Sequence, residues 1–194
     1  MTNKIQKIIM MRHGQTGSDK TDPDRLLIPT GITELRSKLD QLKTEVNLYP
    51  VEIISTGTPR AIQTAQIISK YLCIEYNRYL TDKASEFLIS EWTSIYNIKL
   101  EYPEYFEKDL TEIYLSLNSL GKLPADIKRP QEVAKTFLDF IKSIKSDVKT
   151  LVYVANGGSI EAACYYQNMY RPAKNDIINQ KILGYSDYII LNKS

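Results

Sequence analysis

The chain has 194 residues, of which 25 are basic and 23 acidic, for a formal charge of +2. That length fits one domain with a substantial core, and the near-even charge supplies no basic stripe for a row of phosphates, so nucleic acid is not an expected partner. No apolar run approaches the roughly 20 residues of a membrane-spanning helix, so no membrane partner is expected either.

The N-terminal apolar stretch Ile8 to Met11 is too short for a signal-peptide core. Cys73 and Cys164 lie in apolar surroundings far apart in sequence and read as buried free thiols, a disulfide between them being the less favoured alternative. They point to a reducing compartment, and hence to the cytoplasm. His13 is the sole histidine and no Cys-x-x-Cys pair occurs, so neither a metal nor a cofactor is expected. With no repeat, low-complexity tract or linker, residues 1–194 read as a single domain. Its oligomeric state is open, a homodimer included.

Ile5 to Met11 reads as a buried strand that opens abruptly into a loop at Arg12-His13-Gly14. A polar loop, Gln15 to Pro29, precedes a helix marked by Ile32, Leu35, Leu39 and Leu42, with Thr30 as its N-cap. Val51 to Ser55 is a second strand. Thr58 and Pro59 are start signals for the next helix, whose buried stripe is Ala61, Ala65, Ile68 and Leu72. Ile74 to Leu80 reads as a third strand.

From Ser94 to Lys128 the sequence is aromatic, charged and broken by Pro103, Gly121 and Pro124, a helical insertion or lid over residues 94–128. Leu110, Ile113, Tyr114 and Leu117 mark a helix within it. Val133, Phe137, Phe140, Ile141 and Ile144 mark another, and Leu151 to Ala155 a further strand. Gly157-Gly158 then turns into a helix through about Gln167. Strands are expected at Ile177 to Leu183 and Tyr188 to Leu191. This alternation predicts an α/β fold, a three-layer sandwich with a largely parallel central sheet flanked by helices.

Polar residues cluster where such a sheet places its ligand, at the carboxyl ends of its strands. Arg12 and His13 follow the first strand, Arg60 the second, and Asn156-Gly157-Gly158 the strand ending at Ala155. Two guanidinium forks suit a phosphoryl group. Arg60 falls in the first turn of its helix, where backbone N–H groups and the helix dipole face the same anion. The Gly-Gly turn offers further backbone donors. The physical reading is an anion pocket with an imidazole inside it.

These segments resemble the histidine phosphatase superfamily, which includes the cofactor-dependent phosphoglycerate mutases. Arg12-His13-Gly14-Gln15-Thr16 looks like its signature, and Leu27-Ile28-Pro29-Thr30-Gly31-Ile32 is similar to its entry into the first helix. Ser55 through Ala65, with Arg60 and Gln63-Thr64-Ala65, resembles its second arginine motif. Glu86, six residues before Trp92, looks like its acid, its spacing favouring it over the neighbouring competitor Glu91, and Val152 to Ile160 is similar to its last strand and Gly-Gly turn. Each match is weak, but all five occur in the expected order over nearly the whole chain.

The resemblance implies a small phosphorylated substrate and a phosphomonoesterase mechanism. His13, as neutral imidazole, attacks phosphorus and forms a phosphohistidine. Arg12 and Arg60 bind the non-bridging oxygens. Glu86 protonates the departing oxygen and then activates water. Gln15, Thr16, Asn156 and Gly157 complete the implied substrate-binding set. Tyr102, Tyr105 and Phe106 are candidates for a substrate-facing lid, and Trp92, Tyr165 and Tyr166 for packing.

Three positions depart from the family pattern. Asn156 stands where the family has a second histidine. It can donate an amide hydrogen bond but cannot carry positive charge, a change worth a loss on the order of 10²–10³ in turnover. Asp19 replaces an asparagine near the phosphate, and Ser90 a glycine before Trp92. Two alternatives to the hydrolase therefore stand: a pseudophosphatase that binds phosphorylated ligands without turnover, and a phosphotransferase or mutase.

Overall fold

Alternation along the first strand sets the layers. In β1 (Lys7–Arg12) the side chains of Ile8 and Met10 face one side and those of Ile9 and Met11 the other. All four are fully buried, so helices must cover both faces. The computed structural model describes residues 4–18, 22, 24–46, 50–78, 80–81, 92–144, 147–164, 170–172 and 183–193. Within them β1, β2 (Val51–Ser55), β3 (Thr150–Ala155), β4 (Tyr170–Pro172) and β5 (Tyr188–Lys193) form one sheet in the order β2-β3-β1-β5-β4.

β2, β3 and β1 run parallel, whereas β5 is antiparallel to both β1 and β4. The sheet is therefore mixed. The sandwich is as expected, but its parallel character ends at β5.

One face is covered by α1 (Pro29–Glu45) and α2 (Pro59–Leu72). Leu35, Leu39 and Leu42 of α1 and Ala61, Ala65 and Ile68 of α2 pack there with Ile9, Met11, Ile53, Val152 and Val154. Against the other face lie α5 (Pro130–Ser143), through Phe137, Phe140 and Ile141, and α6 (Ser159–Cys164), through Ile160 and Ala163. Each such fully buried large aliphatic side chain contributes about 1.5–3 kcal/mol. Glu132 Oε2 caps the start of α5 by accepting from the Arg129 N–H at 2.8 Å.

The segment after α2 contains α3 (Trp92–Glu101), a short 3₁₀ turn at Pro103–Tyr105, and α4 (Leu110–Ser119). Here Ile95, Ile113, Tyr114 and Leu117 form a separate apolar cluster with Val133 of α5 and Ala162 of α6. Within the helical insertion expected over residues 94–128, the sequence does not mark α3 as a separate helix, because its aromatic and charged residues carry weak helical periodicity. Of the three aromatic lid candidates, Tyr102 and Phe106 are exposed, and Tyr105 packs partly against this cluster. Among the described residues no helix is long and apolar enough to cross a membrane.

Several local expectations are corrected. The N-cap of α1 is Ile28, not Thr30: Pro29, with its fixed φ, takes the first helical position. Thr58 is the N-cap of α2 as expected, but its hydroxyl makes no capping bond. The expected strand Ile74 to Leu80 is a single bridge, Tyr76 to Ile53. Asn77 ends it, because its Oδ1 accepts from the Leu80 N–H at 3.0 Å and turns the chain.

Cys73 is exposed, not buried. It ends α2 in the left-handed region at φ 55. Leu183, the last residue of another expected strand, lies outside any strand. Residues 177–182 of that strand, with Tyr165 and Tyr166, fall outside the described residues, as does the side chain of Cys164.

Candidate active site

Strand register brings the site together. Arg12 pairs with Ala155, and Ser55 with Val154, so β1, β2 and β3 end side by side at one edge. That edge is where the sequence places Arg12-His13, Arg60 and Asn156. The His13 backbone is fixed from two sides, with its N–H on Ala155 O at 3.0 Å and its carbonyl accepting from Ser186 N at 3.3 Å.

The second arginine motif holds this loop by plain hydrogen bonding. Thr64 Oγ1 accepts from the Gly14 N–H at 3.1 Å and donates to the Arg60 carbonyl at 2.8 Å. Gln63 Oε1 accepts from the Leu27 N–H at 2.7 Å. Gly14 itself has no room for a side chain: a Cβ there falls 2.5 Å from Leu27 Cδ2. Thr64→Val keeps the shape and strands the buried Gly14 N–H. It is expected to cost about 1–3 kcal/mol in denaturant unfolding, and an unchanged midpoint contradicts this account of the motif.

The His13 ring is nearly buried, at 4% exposure. Its Nδ1 lies 2.8 Å from Gly14 O, so Nδ1 carries the proton and donates. The Nε2 lone pair accepts a hydrogen bond from Arg60 Nε at 3.2 Å. Burial pushes the imidazole down from its ordinary 6.5 to about 3, against the opposing pull of the Gly14 bond. The charges of Arg60, Arg12 and Arg25 push the same way as burial. His13 is thus neutral across the physiological range.

Arg60 occupies the second position of α2, as its sequence context predicts. Its Nε also reaches Asn156 Oδ1 at 3.0 Å, and Thr58 Oγ1 approaches the same oxygen at 3.4 Å. Asn156 thus presents its carbonyl oxygen to the arginine. Burial and the charge of Arg25 lower the Arg60 guanidinium to about 10, with a partly offsetting contribution from Tyr185, so it stays charged at neutral pH.

Arg12 donates from Nη1 to Leu183 O at 2.6 Å, and its Nη2 lies 3.9 Å from Asp109 Oδ2. Its Cζ sits 4.5 Å from the centroid of the Tyr185 ring, which is also 5.6 Å from the His13 ring. Gly157 permits the approach: a Cβ there falls 3.0 Å from Arg12 Cζ and 3.3 Å from Thr111 Oγ1. Arg12 Nε is buried with no hydrogen-bond partner among the described residues.

Of the implied substrate-binding set, Thr16 is buried and its Oγ1 accepts from Arg25 Nε at 3.2 Å. Gln15 contributes its carbonyl to the Ile28 N–H at 3.1 Å. Glu86 lies outside the described residues, as do Asp19, Ser90 and the side chain of Trp92.

Sequence reasoning missed two members of the site. Arg25 sits in the polar loop among carboxylates, where a surface role is the default reading. Tyr185 follows a short segment whose only local signal is Gly184. Nothing in the order of residues places either beside His13.

A buried neutral imidazole and guanidinium groups thus meet at the carboxyl edge of the α/β sheet. The model of the histidine phosphatase superfamily (branch 1) matches residues 8–181, and the chain belongs to that family. No curated protein matches it in sequence.

Similar solved structures share the fold at low identity. A mycobacterial glucosyl-3-phosphoglycerate phosphatase in complex with inorganic phosphate is 18% identical, with 95% of this chain and 88% of that one covered and a TM-score of 0.62. Mycobacterial hydrolase 1 is 16% identical over 96% and 89%, with a TM-score of 0.63. A phosphoglycerate mutase from Bacillus anthracis is 15% identical over 86% and 82%, with a TM-score of 0.52.

Proposed function

We propose that this chain hydrolyses phosphomonoesters through a phosphohistidine on Nε2 of His13. The carrying observation is that Nδ1 donates to Gly14 O, which leaves Nε2 with the lone pair, where it accepts from Arg60 Nε until a phosphoryl group takes that donor. In the first step this lone pair forms the N–P bond as the ester P–O bond breaks, and the departing oxygen takes a proton from Glu86. In the second, water attacks phosphorus, Glu86 accepts its proton, and inorganic phosphate leaves the neutral imidazole.

Arg12 and Arg60 stabilise the charge on the non-bridging oxygens, and Arg25 adds a third cation to the same field. A small phosphorylated molecule in the cytoplasm is the proposed substrate class. The test is incubation with radiolabelled phosphomonoesters, with acid-labile label expected on His13 and inorganic phosphate as product. No label and no release across a broad panel overturn the reading. A new phosphoester in place of inorganic phosphate indicates a transferase.

Asn156 supports a second reading, a pseudophosphatase. Its Oδ1 is engaged by Arg60 Nε at 3.0 Å, so it anchors the arginine as well as replacing a cation. The hydrolase reading expects Asn156→His to raise turnover by up to ~10²-fold, the scale of one preorganised donor. The pseudophosphatase reading expects phosphate or vanadate binding with no gain.

A further inference from the structure

Glu161 is a buried carboxylate, 9% exposed, to which the proposed chemistry gives no role. It lies in the first turn of α6, three residues after Gly158. One oxygen, Oε2, accepts from the Gly158 N–H at 2.6 Å, which is the local half of a capping box. Capping needs nothing more, yet Oε1 reaches across 22 positions of sequence to accept from the Leu183 N–H at 3.1 Å. The carbonyl of Leu183 accepts from Arg12 Nη1 at 2.6 Å. Two residues on, the Tyr185 ring lies against the Arg12 guanidinium. A single carboxylate thus ties the Gly-Gly turn, which Arg12 packs against, to the 183–187 turn, which holds Arg12 from the other side.

From this chain of contacts we infer that Glu161 is a positioning residue: it aims the Arg12 fork at the phosphoryl site by fixing the Leu183 carbonyl. The inference rests on the phosphate-handling role proposed for Arg12. A guanidinium binds phosphate by direction as well as charge, so a shifted acceptor misdirects its donors. An ammonium is a point charge on a flexible stem and is much less sensitive to such a shift.

The test is calorimetric titration of the full chain with inorganic phosphate, with thermal unfolding in parallel. Glu161→Ala is expected to weaken phosphate binding about tenfold, the scale of a small misplacement of a binding group. Glu161→Gln keeps one acceptor, turns an amide donor toward the other N–H, and is expected to weaken binding by an intermediate factor. In an Arg12→Lys background the same changes are expected to alter affinity less than about twofold, because the orientation being protected is gone.

A merely structural role lowers the unfolding temperature equally in both backgrounds and leaves affinity unchanged in the folded variants; that outcome overturns the inference. So does an equal affinity loss in both backgrounds. If Glu161→Ala does not fold, Glu161→Gln decides the matter on the same terms. A wild-type chain that binds no phosphate at all overturns the phosphate-site reading and this inference together, whereas variant affinities equal to wild type overturn this inference alone.

Discussion

His13→Ala is expected to lower phosphomonoester turnover by ~10⁴-fold or more, since removing a nucleophile costs far more than removing a binding group. Stopped assays of phosphate release measure it, and residual activity within tenfold of wild type sinks the nucleophile assignment. The same substitution carries a signature in stability. Between pH 6.5 and about 3 the unfolded chain takes up a proton at this imidazole that the folded chain refuses. The folded state is therefore penalised as pH falls through that window, by up to about 1.4 kcal/mol per pH unit. Above pH 6.5 both states are neutral there and the contribution vanishes. Carboxylates titrate alike in wild type and variant, so the difference between their stability–pH curves isolates His13. A flatter curve for His13→Ala is expected, and parallel curves contradict the buried neutral imidazole.

Arg60→Ala is expected to reduce turnover by ~10²–10³-fold and to weaken inorganic phosphate binding sharply, with the fold intact. The fold survives because Thr64 takes its partners from the Arg60 carbonyl and the Gly14 N–H, which the substitution leaves in place. The loss is large because one Nε contacts both His13 Nε2 and Asn156 Oδ1, at 3.2 and 3.0 Å. Removing it takes a cation from the phosphoryl site and leaves the Asn156 carbonyl without its charged donor. Unchanged phosphate affinity contradicts the pocket. Loss of cooperative unfolding contradicts the expectation that the fold survives without this side chain.

Much of the fold was legible because periodicity and punctuation agree. β2 runs from Val51 to Ser55 and β3 ends at Ala155, as read, because continuous apolar runs bounded by polar turns specify strands buried on both faces. Pro59 marked the start of α2 by its fixed φ. Misreadings arose where neighbours outvoted composition. Ile74 to Leu80 carries strand-forming residues, but Asn77 spends its side chain on the Leu80 N–H and turns the chain after one bridge. Cys73 follows an apolar helix, yet its left-handed C-cap geometry puts it in solvent.

The order of residues by itself determined the layers, the family and the polar residues at three strand ends, because side-chain alternation and turn chemistry act within a few positions of one another. Tertiary structure alone decided how those residues face one another. It set the proton on Nδ1 of His13, turned the Asn156 carbonyl onto Arg60, and brought Arg25 and Tyr185 to the pocket. It also joined Glu161 to the Leu183 N–H across 22 positions of sequence. The physical reason is burial: a charge or lone pair removed from water takes whatever partner the packed chain brings within about 3 Å, and sequence distance does not enter that choice.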